Sequence, residues 1–97
     1  MSVDYSITLT PSHSCVPRLM DFIEDRKELP LPKRQELVGL MQHLNAMSIR
    51  HVRMCVSRGT WTIEFVINEN RKYKGDGECF QRALTNTLNS VHRLDLH

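Results

Sequence analysis

Histidine and cysteine are the residue types in this chain that could ligate a metal ion. Five of them are conceivable ligands: His13, Cys15, His51, Cys55 and Cys79. Structural zinc sites use ligand pairs a few residues apart, of the CxxC or HxxxH kind, so that one local turn supplies two ligands. His13 and Cys15 alone approach this spacing, and a buried thiol commonly serves as a small hydrophobic side chain. The sequence therefore predicts no metal site and no cofactor.

Catalysis would require a nucleophile with a base beside it, or a pair of carboxylates. His51 and Cys55 are four residues apart in a segment with the alternation of a strand, which separates them by about 13 Å along one face. The acidic residues between positions 21 and 28 fall on one side of a helical pattern and are typical of a solvated helix face. We therefore expect no catalytic residues and no enzymatic activity.

The segment KYKGDGECFQRALTNTL, residues 72 to 88, is the one stretch that looks like a motif. A phosphate-binding loop would need several consecutive backbone N–H groups and usually a lysine that leads into the helix. Here Asp76 and Glu78 place negative charge where the anion would lie. We predict instead that Gly75 and Gly77 let the chain leave a strand and turn, and that Asp76 or Glu78 complements the N-terminus of the next helix.

Basic residues are concentrated in the second half of the chain, where residues 33 to 97 hold ten Lys and Arg against six Asp and Glu. Such residues can protect sheet edges from aggregation, or they can contact phosphates or an acidic partner. If these residues contact a partner, Arg53 and Arg58 are the expected anchors, and Arg71, Lys72 and Lys74 lie at the rim of the contact. The predicted partner-binding residues are Arg53, Arg58, Arg71, Lys72 and Lys74.

The periodicity of apolar residues predicts a strand, two helices, a three-stranded meander and a final helix. Alternation marks strands at 3 to 9, in SIRHVRMCVS, in TWTIEFVI and in RKYK, whereas helical spacing marks 16 to 27, 37 to 47 and 80 to 94. Arg58-Gly59 fits a tight hairpin, and ELPLPKR fits a stiff connector. The prediction is an α+β fold in a single domain, residues 1–97, with one mostly antiparallel sheet and the helices packed on the face of Trp61 and Phe65.

Residues 57 to 94 resemble the carboxyl half of small phage-encoded accessory proteins. The resemblance lies in TWTIEFVI, the short strand after it, the glycine-acid-glycine segment and the helix with RALTNTL. The same stretch is similar in outline to a double-stranded RNA-binding domain, but residues 78 to 82 lack the lysine-rich helix start of that module. The phage resemblance implies a non-enzymatic protein that binds and modulates or inhibits a larger host protein complex, such as a recombination nuclease or a CRISPR-type machine that processes nucleic acid.

The alternative function is a small RNA- or DNA-binding module that uses the basic hairpin and contacts the nucleic-acid backbone. The sequence shows no signal peptide and no apolar run of about 18 residues, and its three cysteines are widely spaced. We therefore expect no membrane association, reduced thiols and a cytoplasmic location, which would be the cytoplasm of a bacterial host if the protein is phage-encoded.

Overall fold

A computed structural model describes residues 5 to 25 and 32 to 95. The elements follow one another in the predicted order, which confirms the α+β fold class. They are β1 (Tyr5–Leu9), a 3-10 turn (His13–Cys15), α1 (Val16–Asp25), α2 (Arg34–Ala46), β2 (His51–Ser57), β3 (Thr60–Asn68), β4 (Arg71–Gly77) and α3 (Phe80–Asp95).

The four strands form one antiparallel sheet whose spatial order, β1-β2-β3-β4, equals the order along the chain. Two hairpins join the last three strands, whereas the connection from β1 to β2 contains α1 and α2. The register places Thr8 beside Arg53, Arg53 beside Glu64 and Glu64 beside Lys74. This row crosses the sheet from one edge to the other.

Trp61 lies at the centre of the core and joins two helices to the sheet. Its indole makes edge-to-face contacts with Phe22 of α1, at a centroid distance of 5.7 Å, and with Phe80 of α3, at 5.6 Å. Trp61 and Phe65 are buried together with apolar residues from all three helices, such as Leu19 and Leu37. The predicted packing face is therefore correct. The prediction rested on the alternation of apolar residues along β3.

The prediction that Gly75 and Gly77 form a turn is wrong, because both lie inside β4, opposite Ile63 and Trp61. Helix α3 packs against this strand so closely that side chains would not fit. A Cβ atom on Gly75 would lie 2.6 Å from Oγ1 of Thr87 and closer still to the Thr87 backbone nitrogen. The glycines therefore admit the helix backbone, and the strand runs three residues beyond the predicted RKYK.

Of the two acidic residues predicted to complement the next helix, Asp76 differs in place from the prediction. Asp76 lies within β4 opposite Thr62, so it belongs to the sheet and not to a helix cap. Glu78 is in the bend just before α3, which begins at Phe80. Helix α1 ends at Asp25, and most of the ELPLPKR connector lies outside the described residues.

The β2–β3 hairpin turns at Arg58 and Gly59, as predicted, with φ values of 52° and 76°. Two consecutive residues with positive φ indicate a type I′ turn, for which Asn-Gly is the favoured pair.

We expect Arg58→Asn to raise the free energy of unfolding by about 0.5–1 kcal/mol, because asparagine tolerates the left-handed region better than arginine does. Urea unfolding checks this value, and Arg58→Val, which is β-branched, should destabilise the protein instead.

Candidate partner-binding surface

The side of the sheet opposite the helices, here called the open face, is covered by none of the three described helices. Its side chains are exposed or half-buried, whereas their neighbours along each strand point into the core. By alternation from the core residues, the open face consists of Ser6, Thr8, His51, Arg53, Cys55, Ser57, Thr60, Thr62, Glu64, Val66, Lys72, Lys74 and Asp76.

A row of opposite charges crosses the middle of the open face. Glu64 of β3 lies between Arg53 of β2 and Lys74 of β4. The Arg53 guanidinium is 3.8 Å from the Glu64 carboxylate, and the Arg53 side chain remains 62% exposed. An ion pair so long and so exposed contributes little to stability, so Arg53 can exchange Glu64 for another carboxylate at small cost.

The twisted sheet leaves a groove of about 500 Å³ on the open face. A second concavity of about 280 Å³ adjoins it, and Thr8 and Arg53 contribute to both. The first groove is lined by residues of all four strands and of the segments next to them: Thr8, Arg50, His51, Arg53, Val66, Asn68, Glu69 and Lys72. Its cationic side chains outnumber the single carboxylate of Glu69.

The structure brings three of the five predicted binding residues together. Arg53, Lys72 and Lys74 share the open face, whereas Arg58 lies at the hairpin tip, about 16 Å from Arg53 along the strand direction. Arg71 is the exposed first residue of β4, beside the irregular register between Val66 and Asn68. The predicted set therefore divides into a cluster on the sheet and two flanking arginines.

Sequence reasoning missed the contributions of Thr8 and His51 to the groove. Alternation alone places His51 on the same face of β2 as Arg53, because the two residues are two positions apart. Thr8 could not be found in this way, since it reaches the groove only through the pairing of β1 with β2. The register of the sheet is therefore needed to predict that Thr8 and His51 line one groove.

The open face can offer ion pairs and hydrogen bonds, but it carries no Phe, Tyr or Trp. All six Phe, Tyr and Trp residues of the chain are described, and each lies in a helix or on the other side of the sheet: Tyr5, Phe22, Trp61, Phe65, Tyr73 and Phe80. Among residues 5–25 and 32–95, no three His, Cys, Asp or Glu side chains are grouped so that they could hold a metal ion.

In the part of the chain that the structure describes, no helix combines the length and apolar character needed to cross a membrane. Comparisons with family models, curated proteins and solved structures give no match for this chain.

Proposed function

We propose that this chain is a non-enzymatic binding protein whose open face docks on an acidic surface of a larger protein complex. The observation that carries the proposal is the convergence of Arg53, Lys72 and Lys74 on one uncovered side of the sheet, beside a groove of about 500 Å³. In the setting implied by the phage resemblance, the partner is a host complex that processes nucleic acid, and binding modulates or inhibits it.

Two features favour a protein over a nucleic acid as the partner. Proteins that bind single strands stack bases mainly on Phe, Tyr and Trp, and the open face has none of these three. Glu64 lies in the centre of the basic cluster, where it would repel a chain of phosphates. A protein surface that carries carboxylates with some basic residues complements this mixture of charges better.

The hairpin tip presents an exposed arginine in an unfavourable backbone conformation. Arginine occupies a position with φ of 52°, where glycine or asparagine would be less strained. Strained residues often persist where a function requires their side chain. We assign Arg58 to the periphery of the interface, since the tip is distant from the groove.

The test compares two double charge reversals with the same net charge. Arg53→Glu plus Lys72→Glu changes the open face, whereas Arg18→Glu plus Arg34→Glu changes exposed positions on α1 and α2. Each protein is used as bait in a bacterial lysate, and retained chains are identified by mass spectrometry. We expect the open-face variant to bind the retained complex at least about tenfold more weakly, and the helix variant to bind normally.

A carbodiimide cross-linker then tests the nature of the contact, because it joins an amine to a carboxylate without a spacer. Cross-links from Lys72 or Lys74 to Asp or Glu of the partner support an acidic docking surface. Equal binding by both double variants would refute the proposal. If the wild type retains no protein but binds oligonucleotides with an affinity that falls steeply with salt, the nucleic-acid alternative replaces it.

A further inference from the structure

The two edges of the sheet differ in how their backbone groups are protected. On the β4 edge, the carbonyl oxygen of Asp76 accepts a hydrogen bond from the Asn86 amide, and that of Lys74 lies 3.3 Å from the Ser90 hydroxyl. Both donors are side chains of α3. Lys72 and Lys74 add charge along the same strand. Covering groups and lysines of this kind prevent an edge from pairing with another strand.

The β1 edge lacks this protection within the described residues. Its segment Tyr5–Leu9, YSITL, contains no charged residue and no proline, and no bulge interrupts its pairing with β2. Among the large hydrophobic residues that the structure describes, Tyr5 is the one exposed example, at 42%. An uncharged, regular edge strand is a template for pairing with another strand.

The hairpin geometry shows which backbone groups of β1 face outward. In a two-residue type I′ hairpin the closing pair, Ser57 and Thr60, is hydrogen-bonded, and such pairs alternate along an antiparallel ladder. Val52, Met54 and Val56 of β2 consequently direct their backbone groups toward β1. The opposing residues Tyr5, Ile7 and Leu9 use theirs in that ladder. The N–H and C=O groups of Ser6 and Thr8 therefore point to the free edge.

The sequence of β1 complements itself when it is reversed. If a second copy is aligned antiparallel about Ile7, Ser6 faces Thr8 of the second copy, and Tyr5 faces its Leu9. Hydroxyl groups then meet on the open face, and on the helix side the exposed Tyr5 lies beside the position of Leu9, which its own chain already buries. The outward backbone groups of Ser6 and Thr8 fall in register as hydrogen-bonded pairs. A two-fold symmetric interface requires this self-complementarity.

We propose that the protein forms a homodimer by antiparallel pairing of β1 with β1 of a second copy, with the two-fold axis at Ile7. The product is a continuous eight-stranded sheet in which the two open faces adjoin. The inference depends on the sheet edge and not on the partner that we assign to the open face. Each inference can therefore fail without the other.

The test uses opposite charges at the two hydroxyl positions. Sedimentation velocity is measured over a range of concentrations for the wild type, for Ser6→Lys plus Thr8→Lys, and for Ser6→Glu plus Thr8→Glu. We expect a concentration-dependent wild-type dimer and at least about tenfold weaker dimerisation of each variant alone, because like charges would face each other across the axis. An equimolar mixture of the two variants should restore the dimer.

The matched control is Gln35→Lys plus Gln81→Lys, which adds the same charge at exposed helical positions and should dimerise like the wild type. Circular dichroism verifies folding. If a double variant does not fold, the single variants Thr8→Lys and Thr8→Glu replace it, and their charges then lie diagonally across the axis, within reach of each other. A wild type that stays monomeric at several hundred micromolar overturns the proposal. Lysine variants that dimerise normally, or a mixture that stays monomeric, overturn it as well.

Discussion

Replacing Trp61 with alanine is expected to lower the free energy of unfolding by about 3–5 kcal/mol. The indole is 2% exposed and contacts the rings of Phe22 and Phe80, so its removal opens a cavity where α1 and α3 meet the sheet. Aromatic pairs in edge-to-face geometry add to the loss beyond the buried area. Urea unfolding, followed by circular dichroism at one fixed protein concentration, measures the effect.

Trp61→Phe is the matched comparison for this prediction. It retains one aromatic ring in the same contacts, so we expect a loss of about 1–2 kcal/mol, less than half that of the alanine variant. A loss below about 1 kcal/mol for Trp61→Ala would contradict the assignment of Trp61 to the junction of the two helices.

Gly75→Ala is expected to destabilise the protein by about 3 kcal/mol, although the added group is a single methyl. The Cβ atom would lie 2.6 Å from Oγ1 of Thr87 and 2.7 Å from the carbonyl carbon of Asn86, so the backbone of α3 must move. Thr87 is fully buried, and its hydroxyl lies 3.1 Å from the carbonyl oxygen of Ile63 and 2.7 Å from that of Ala83. Moving the helix adds the cost of a disturbed buried hydrogen bond to that of overpacking.

Gly39→Ala makes the same chemical change where the structure has room for it. Gly39 is exposed in α2, and a Cβ atom there would meet nothing within 4 Å. Alanine should therefore stabilise the protein by about 0.5–1 kcal/mol through its better helix propensity. If Gly75→Ala and Gly39→Ala have similar effects in urea unfolding, α3 does not pack on β4 as described.

The fold could be predicted from periodicity, but the glycine segment could not. Alternation in TWTIEFVI assigned Trp61 and Phe65 to one face, because a strand repeats every two residues whatever packs on it. Glycine has two common uses, positive φ in turns and close approach of another backbone. Local sequence does not distinguish them here, since the neighbour of Gly75 is Thr87, which belongs to the next element.

The candidate site could also be predicted only in part from the sequence. Lys72 and Lys74 share a face because they are two residues apart in one strand, which is a local property. Their proximity to Arg53 follows from the pairing of β3 with both neighbouring strands, which tight turns favour. Arg58 and Arg53 also belong to one strand-turn segment, but the tip carries Arg58 away from the face. The groove itself required β1, whose pairing is not encoded nearby.

The strands of the sheet are neighbours in the order in which they follow along the chain, but the connections between them differ greatly in length. This difference affects the entropy lost when the sheet forms. A hairpin closes the β2–β3 pair through residues 58 and 59, but β1 must close a connection that runs from residue 10 to residue 50. The cost of closing a flexible loop rises with the logarithm of its length, so closing this connection costs about 2–3 kcal/mol more than closing the hairpin. Among the three strand pairings of the sheet, the pairing of β1 with β2 is therefore the one that forms at the greatest entropic cost.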